Sequence, residues 1–175
     1  MRSYSRAMGR RLLASCFGLG WLPLAPGTWG SVPPVVVFIL MQHFKVAASS
    51  VVVTMLSLAL VGCIVCVSCA PSSITATGKK DPREVVADEF AAQAVTLVFA
   101  ATAIGTLRYP LWVIAGGSFV LFRLLDIVKP WPIRRFEKLP EGWGVLADDL
   151  LAGIYAGIIL LACLRLWSWL SAGRF

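Results

Sequence analysis

Charged residues are scarce in this chain. Only 14% of its 175 residues are Asp, Glu, Lys or Arg, whereas a soluble domain usually carries about 25%. Hydrophobic residues make up 58%, a composition typical of membrane proteins. At about 100–200 residues per domain, the length predicts one domain over residues 1–175.

Several catalytic groups that serve in hydrolases and transferases are also missing. The one histidine, His43, is predicted on the opposite side of the membrane from the acidic residues, which argues against histidine chemistry among them. No D-x-D pair offers an aspartyl nucleophile, and no His-Cys-x5-Arg loop offers a thiolate. The paired aspartates of CDP-alcohol phosphotransferases, with their following G-x-x-A-R, are absent too. For chemistry on a phosphate, water activated by a divalent ion remains.

Five apolar stretches predict an all-α, polytopic membrane protein with about four to five spanning or re-entrant helices. Stretches 46–70, 111–128 and 150–170 approach or exceed the roughly 20 residues that cross a hydrocarbon core of about 30 Å. Stretches 32–44 and 90–107 are shorter, and they are treated as spans with a re-entrant or buried helix as the alternative. Glycines and prolines between residues 18 and 27 interrupt the first apolar run, so no secretory signal peptide is expected.

The basic residues predict the orientation, because cytoplasmic flanks retain an excess of Lys and Arg. With five spans and the N-terminus inside, residues 1–17 form a basic cytoplasmic segment. The cytoplasmic side then receives Arg2, Arg6, Arg10, Arg11, Lys79, Lys80, Arg83, Arg123, Lys129, Arg134, Arg135 and Lys138, against Lys45, Arg108 and Arg174 outside. The net charge of +7 therefore indicates topology and attraction to anionic lipid headgroups. No nucleic-acid motif accompanies it.

All nine acidic residues fall on the same predicted side. They are Asp81, Glu84, Asp88, Glu89, Asp126, Glu137, Glu141, Asp148 and Asp149. Charges that served only for solubility would have decorated the outer loops as well. By contrast, the C-x-x-C-x-x-C of Cys63, Cys66 and Cys69 lies inside an apolar span, where cysteine is expected to behave as a small hydrophobe rather than as a metal ligand.

Two polar segments precede apolar helices. Residues 18–31 read GLGWLPLAPGTWGS and place Thr28 and Ser31 at a predicted helix start, where backbone N–H groups can hold a phosphate; an ordinary Pro/Gly turn fits equally well. Residues 79–90 read KKDPREVVADEF and end on Asp88 and Glu89. Capping of the helix dipole explains such carboxylates, but two adjacent ones also suit a shared Mg²⁺.

Two further segments complete the polar set. Residues 122–132 read FRLLDIVKPWP, in which Arg123 and Asp126 share a helix face and Lys129 precedes a proline that disfavours helical geometry. A snorkelling arginine with its ion pair is the alternative. Residues 142–153 read GWGVLADDLLAG, predicted as a second glycine turn leading into Asp148 and Asp149. The four segments together suit metal-assisted phosphoryl chemistry.

In this order and spacing, the four segments resemble the phosphatidylglycerophosphatase A family of bacterial membrane proteins. The blocks are G-x-G-x-x-P-x-A-P-G-T-x-G-S, D-P-x-x-V-V-x-D-E, R-x-x-D-x-x-K-P-x-P and G-x-G-x-x-x-D-D-x-x-A-G. The resemblance implies Mg²⁺-dependent hydrolysis of phosphatidylglycerophosphate to phosphatidylglycerol and phosphate, a step of glycerophospholipid biosynthesis. It also implies a multi-pass protein of the bacterial inner membrane whose active site faces the cytoplasm.

Roles follow from the resemblance as hypotheses. Metal ligands are expected among Glu89, Asp126, Asp148, Asp149 and Asp88. The phosphate is expected against Gly27, Thr28, Gly30, Ser31, Arg123 and Lys129. The catalytic set is Asp88, Asp149 and Thr28, with Asp149 or Asp88 accepting a proton from the attacking water.

Three other functions stay open on the sequence alone. A small transporter or channel would carry polar residues at mid-span. A non-enzymatic membrane subunit would use the carboxylates in salt bridges. A phosphatase or transferase acting on another phospholipid or a polyprenyl phosphate would share the same residues. Assembly into a homo-oligomer is compatible with each of them.

Overall fold

The fold is a bundle of α-helices. The computed structural model describes residues 2–104, 109–133 and 141–172, and within these it has six α-helices and no strand. They are α1 (Arg2–Ala14), α2 (Pro26–His43), α3 (Ala48–Thr77), α4 (Ala87–Ala103), α5 (Leu111–Val128) and α6 (Glu141–Ala172). A single 3-10 turn, Leu19–Trp21, lies between α1 and α2. The all-α prediction is confirmed.

Three helices are long and apolar enough to cross a membrane. They are α3, α5 and the Trp143–Leu170 part of α6, in agreement with the three longest predicted stretches. The two shorter stretches form α2 and α4, which do not reach that standard in the described chain. The reason is clearest for α4: it packs against α2, α3, α5 and α6 and buries polar Gln93 and Thr96 among small residues. A helix enclosed by protein needs no continuous apolar surface.

The five helices after α1 alternate in direction, so one end of the bundle collects the starts of α2 and α4, the end of α5 and the early part of α6. Small residues allow the close approach that this requires. Gly62 of α3 faces Ala91, where an added Cβ would lie 2.9 Å from the Cβ of that residue, and Gly153 of α6 faces the backbone of Ala92. The start of α4 therefore lies opposite the middle of α3, rather than level with its end.

Helix α1 packs along the C-terminal half of α3 and on the α3–α4 connection. Arg11 donates from Nε and from a terminal nitrogen to the two carboxylate oxygens of Glu84, each at 2.8 Å. The backbone N–H of Val86 donates to Ala14 O at 3.0 Å. The predicted basic N-terminal segment is thus an ordered helix joined to the residues that lead into α4.

The predicted glycine turn at 142–144 is wrong, because the chain there is helical, whereas residues 15–25 do form a turn that leads into the predicted helix start. Helix α2 starts at Pro26, which has the fixed φ of a first-turn residue, so Gly27, Thr28, Gly30 and Ser31 lie inside the helix. Helix α6 starts at Glu141 and includes the predicted 142–144 turn. Packing against α4 and α3 outweighs the weak helix propensity of glycine at both places.

Some predicted charges lie outside the described residues, namely Arg108, Arg134, Arg135, Glu137, Lys138 and Arg174. The cysteines behave as expected for small hydrophobic residues. None of the five is part of a disulfide, and Cys66 and Cys69 belong to an apolar cluster with Ala14, Ala70 and Val85.

Candidate active site

Three carboxylates converge where α4 begins beside α6. One oxygen each from Asp88, Glu89 and Asp149 lies within 4.8 Å of the others. Asp88 and Asp149 are buried, with 4% of each residue exposed, and Glu89 is half-buried. Asp88 and Glu89 occupy the first turn of α4, as the sequence predicts. Asp149 is brought to them by the contact between Gly153 and Ala92 one turn further along α6.

The guanidinium of Arg123 borders this cluster. Its NH1 nitrogen lies 2.8 Å from Asp126 Oδ2 and 3.9 Å from Glu89 Oε1. The charge of Asp126 also acts on Asp149. The arginine therefore connects the last turn of α5 to the first turn of α4, and Asp126 borders the three-carboxylate cluster without belonging to it.

Lys129 and Asp148 form a separate ion pair. Lys129 ends α5 in a left-handed conformation, with φ 43° and ψ 67°, and so avoids the right-handed helical geometry that Pro130 disfavours. Its Nζ donates to Asp148 Oδ2. Asp148 does not belong to the converging group that its neighbour Asp149 joins, because successive helical residues lie on different faces. The structure does not bring Asp148 together with the other predicted metal ligands.

The start of α2 closes the opposite side of the site. At Gly27 an added Cβ would overlap Glu89 Oε1 and would lie 3.1 Å from an NH2 nitrogen of Arg123; at Gly30 it would lie 2.6 Å from Val86 Cβ. The two glycines therefore let α2 press directly onto α4. Thr28 is half-buried in the same turn, between buried Gly27 and exposed Trp29.

The hydroxyl of Ser31 and part of the α2 backbone are already engaged. Ser31 Oγ donates to Gly27 O at 2.9 Å and is fully buried. The N–H groups of Thr28 and Trp29 donate to Ala25 O at 3.0 and 3.3 Å. Of the residues predicted to face a phosphate here, Gly27 is the one placed directly against Glu89 and Arg123.

The electrostatics of the cluster favour a bound cation. Burial raises the pKa of Asp88 well above its usual range, with the neighbouring charge of Glu89 adding to the effect. Burial likewise raises the pKa of Glu89 to about 8. Within the described part of the chain, the buried oxygen Oε2 of Glu89 has no hydrogen-bond partner. Several converging carboxylate oxygens, one of them unused, are the ligands that Mg²⁺ takes in proteins.

Sequence reasoning missed two features of this region. Gln93 lies four residues after Glu89, on the same face of α4; it is fully buried, and neither polar atom of its amide has a partner in the described residues. The sequence feature that could have indicated Gln93 is a single amide side chain within an apolar run. The Arg11–Glu84 pair, by contrast, joins residues 73 positions apart and leaves no local pattern.

Comparison with known proteins agrees with this arrangement. A family model described as phosphatidylglycerophosphatase A matches residues 12–164, which include the cluster of Asp88, Glu89 and Asp149 together with Arg123, Asp126, Lys129 and Asp148. Phosphatidylglycerophosphatase A of Haemophilus influenzae is 38% identical over 152 residues, 86% of each chain. Its counterpart in Escherichia coli is 38% identical over 150 residues, 85% of this chain and 80% of the relative.

A third relative, from Bacteroides thetaiotaomicron, is named a putative phosphatidylinositol-3-phosphatase. It is 32% identical over 149 residues, 85% of this chain and 89% of its own length. No solved structure matches the chain. The family model spans most of the sequence and the relatives align over most of their lengths, so the chain belongs to the phosphatidylglycerophosphatase A family.

Proposed function

We propose that the chain hydrolyses the phosphomonoester of phosphatidylglycerophosphate, releasing phosphatidylglycerol and inorganic phosphate. The observation that carries the proposal is the buried cluster of Asp88, Glu89 and Asp149 beside Arg123, in a member of this family. The family relatives supply the substrate class; the cluster supplies groups suited to phosphoryl transfer to water.

Mg²⁺ is the proposed cofactor. Asp88, Glu89 and Asp149 would hold it, with Asp126 at the border of the set, since their carboxylate oxygens converge and Glu89 Oε2 has no partner in the described residues. When bound, Mg²⁺ would polarise a phosphate oxygen and lower the pKa of a water molecule. Asp148 is the weakest of the predicted ligands because it pairs with Lys129.

The residues of the chain have separable tasks in this reaction. The guanidinium of Arg123, held by Asp126, would bind the phosphate and stabilise the negative charge that develops on it. A carboxylate, Asp149 or Asp88, would accept a proton as water attacks phosphorus. The bond from phosphorus to the glycerol oxygen breaks, and that oxygen takes up a proton to give the free alcohol. Lys129 lies at the edge of the site, where it can attract the doubly charged phosphate. Thr28 can contact the phosphate from the first turn of α2.

We place the site on the cytoplasmic side of the bacterial inner membrane. Support comes from the basic residues of α1 and of the α3–α4 connection, which lie at the same end of the bundle as the cluster. Such residues stay preferentially in the cytoplasm. The acyl chains of the substrate would remain in the bilayer, while the phosphate reaches the ends of the helices.

A second substrate deserves a direct comparison because the Bacteroides relative is named for a phosphatidylinositol phosphate. Both lipids carry a phosphomonoester on a diacylglycerol-linked headgroup, so the same cluster would serve either. The difference must lie in how the site accommodates a glycerol or an inositol next to the phosphate.

The test is phosphate release in detergent micelles from phosphatidylglycerophosphate and from phosphatidylinositol 3-phosphate, with and without Mg²⁺. The native chain is compared with Asp126→Asn. We expect Mg²⁺-dependent release from phosphatidylglycerophosphate and a strong loss in the variant. If the folded native protein releases phosphate only from phosphatidylinositol 3-phosphate, that lipid replaces phosphatidylglycerophosphate as the proposed substrate. Release from neither lipid would overturn the proposal.

A further inference from the structure

An apolar cavity lies against the turn of α4 that carries Asp88 and Glu89. Its volume is about 260 Å³, and the described residues that line it bear no charged side chain. Ala87 and Phe90, on either side of the two carboxylates in the sequence, both line it. The remaining wall comes from the end of α1, the turn that follows it, α2 and α3. The cavity and the carboxylate cluster therefore use the same helical turn.

The cavity opens towards the surface of α3 that a bilayer would cover. Val61 lines it and is 55% exposed, and Phe17 on the opposite lip is 79% exposed. Along α3, the neighbouring side chains Leu56, Leu60 and Ile64 are exposed as well. Since α3 is long and apolar enough to span a membrane, a bilayer would cover this surface and the opening would face its acyl chains.

We propose that this cavity receives one acyl chain of the lipid substrate. The inference rests on the proposed function and adds to it the position of the acyl chain. When methylene groups of the acyl chain lie between Val61, Val65 and Phe90, the headgroup of the lipid lies beside the first turn of α4. The thiol of Cys16 does not make the cavity polar, because it points to Val86 O at 3.8 Å and burial raises its pKa to about 12.

An acyl chain that moves from the bilayer into this cavity stays in an apolar environment, so little hydrophobic free energy is gained. The cavity instead fixes the position of the headgroup, which lowers the entropy lost in reaching the reactive geometry. Filling the cavity should therefore impair long-chain substrates selectively and leave the chemistry intact. Substrates whose chains are too short to occupy the cavity should not respond.

The experiment compares Val65→Trp and Val61→Trp with Val53→Trp, which changes an exposed residue of the same helix outside the cavity. Kinetics are measured with a long-chain phosphatidylglycerophosphate in micelles and with a water-soluble short-chain analogue. Both cavity variants should lower kcat/KM for the long-chain lipid about tenfold, because a headgroup that is no longer held in position loses part of the entropic advantage of a fixed geometry. For the short-chain analogue kcat/KM should match the native value, as should all constants of Val53→Trp.

A binding readout separates this proposal from the proposed function. A long-chain phosphatidic acid with a photoreactive diazirine on one acyl chain is cross-linked to the native protein in micelles. We expect labelled peptides from residues 13–19 and 61–65, competition by unlabelled long-chain phosphatidic acid, and loss of labelling in Val61→Trp. Labelling elsewhere, or equal competition by phosphatidylcholine, would overturn the inference, the latter by showing a site for bulk lipid. If labelling is as expected but neither lipid is hydrolysed, the proposed function fails while the cavity assignment stands.

Discussion

Gly27 lies so close to Glu89 that a single methyl group on its Cα would overlap the carboxylate oxygen Oε1. The same methyl group would come within 3.1 Å of Arg123. The start of α2 is thus a wall of the site, made of backbone, against which an acidic and a basic side chain are held. Glycine is needed here because the backbone of α2 approaches these side chains closely, and not because the residue adopts an unusual φ angle.

Gly27→Ala should therefore displace Glu89 and Arg123 together. A displacement of about 1 Å costs on the order of 100-fold in rate, and we expect a loss of that size in Mg²⁺-dependent phosphate release. Gly116→Ala is the matched control, since Gly116 of α5 has open space where its Cβ would be. Equal activity of the two variants would contradict the assigned contact.

Asp149→Asn should abolish metal binding as well as turnover. It removes one of three converging carboxylates, and loss of a proton acceptor alone costs about 10²- to 10⁴-fold. Binding of Mn²⁺, a spectroscopic substitute for Mg²⁺, is measured by electron paramagnetic resonance. Asp81→Asn, at an exposed position of the α3–α4 connection, should bind as the native protein does. Unchanged Mn²⁺ affinity in Asp149→Asn would remove this residue from the metal site.

Gln93→Met should stabilise the protein. The buried amide of Gln93 has no partner in the described residues, and such a group costs about 1–3 kcal/mol, which an unbranched apolar side chain of similar length avoids. Thr96→Val should have the opposite sign, because Thr96 Oγ1 is bonded to Ala92 O at 3.1 Å and to Gly153 O at 3.0 Å. Thermal unfolding in detergent measures both. A Gln93→Met protein less stable than the native one would mean that the amide has a partner, such as an internal water molecule.

The Arg11–Glu84 pair should make the attachment of α1 dependent on pH. Hydrogen bonds from Arg11 hold the pKa of Glu84 below its usual value of 4.5. A lowered pKa in the folded state means that the stabilisation is complete above the unfolded-state pKa and disappears as pH falls through the folded-state value.

We expect Glu84→Gln to be less stable than the native protein at pH 7 by on the order of 1 kcal/mol, and the difference to shrink as pH drops below about 4.5. Unfolding by denaturant across this pH range, with Asp81→Asn as control, tests the point. A difference that grows towards acid would contradict the direction of the shift.

The sequence predicts the spanning helices well because their signal is local. Residues 111–128 form α5 with the predicted bounds, since an apolar run of this length has few other solutions in a bilayer. The 142–144 turn was predicted wrongly for a reason of the same kind: Gly144 signals a turn locally, and only packing of α6 against α4 and neighbouring helices makes it helical.

Within the site, the sequence predicts which residues are near one end of the bundle but not how each helix is rotated. Asp148 and Asp149 are adjacent, yet one pairs with Lys129 and the other joins Asp88 and Glu89. That division depends on the rotation of α6, set by the contact of Gly153 with Ala92. Two adjacent aspartates in the sequence do not predict how α6 is rotated.

The depth of the site has a consequence for traffic through it. Helix α4 begins opposite Gly62, which is midway along α3 and about 22 Å from its C-terminal end at 1.5 Å per residue. A lipid phosphatase built in this way has two separate routes. Water and inorganic phosphate must travel along a polar path from the aqueous phase, whereas the dephosphorylated lipid can leave sideways, so that the product passes to its next enzyme by diffusion in two dimensions.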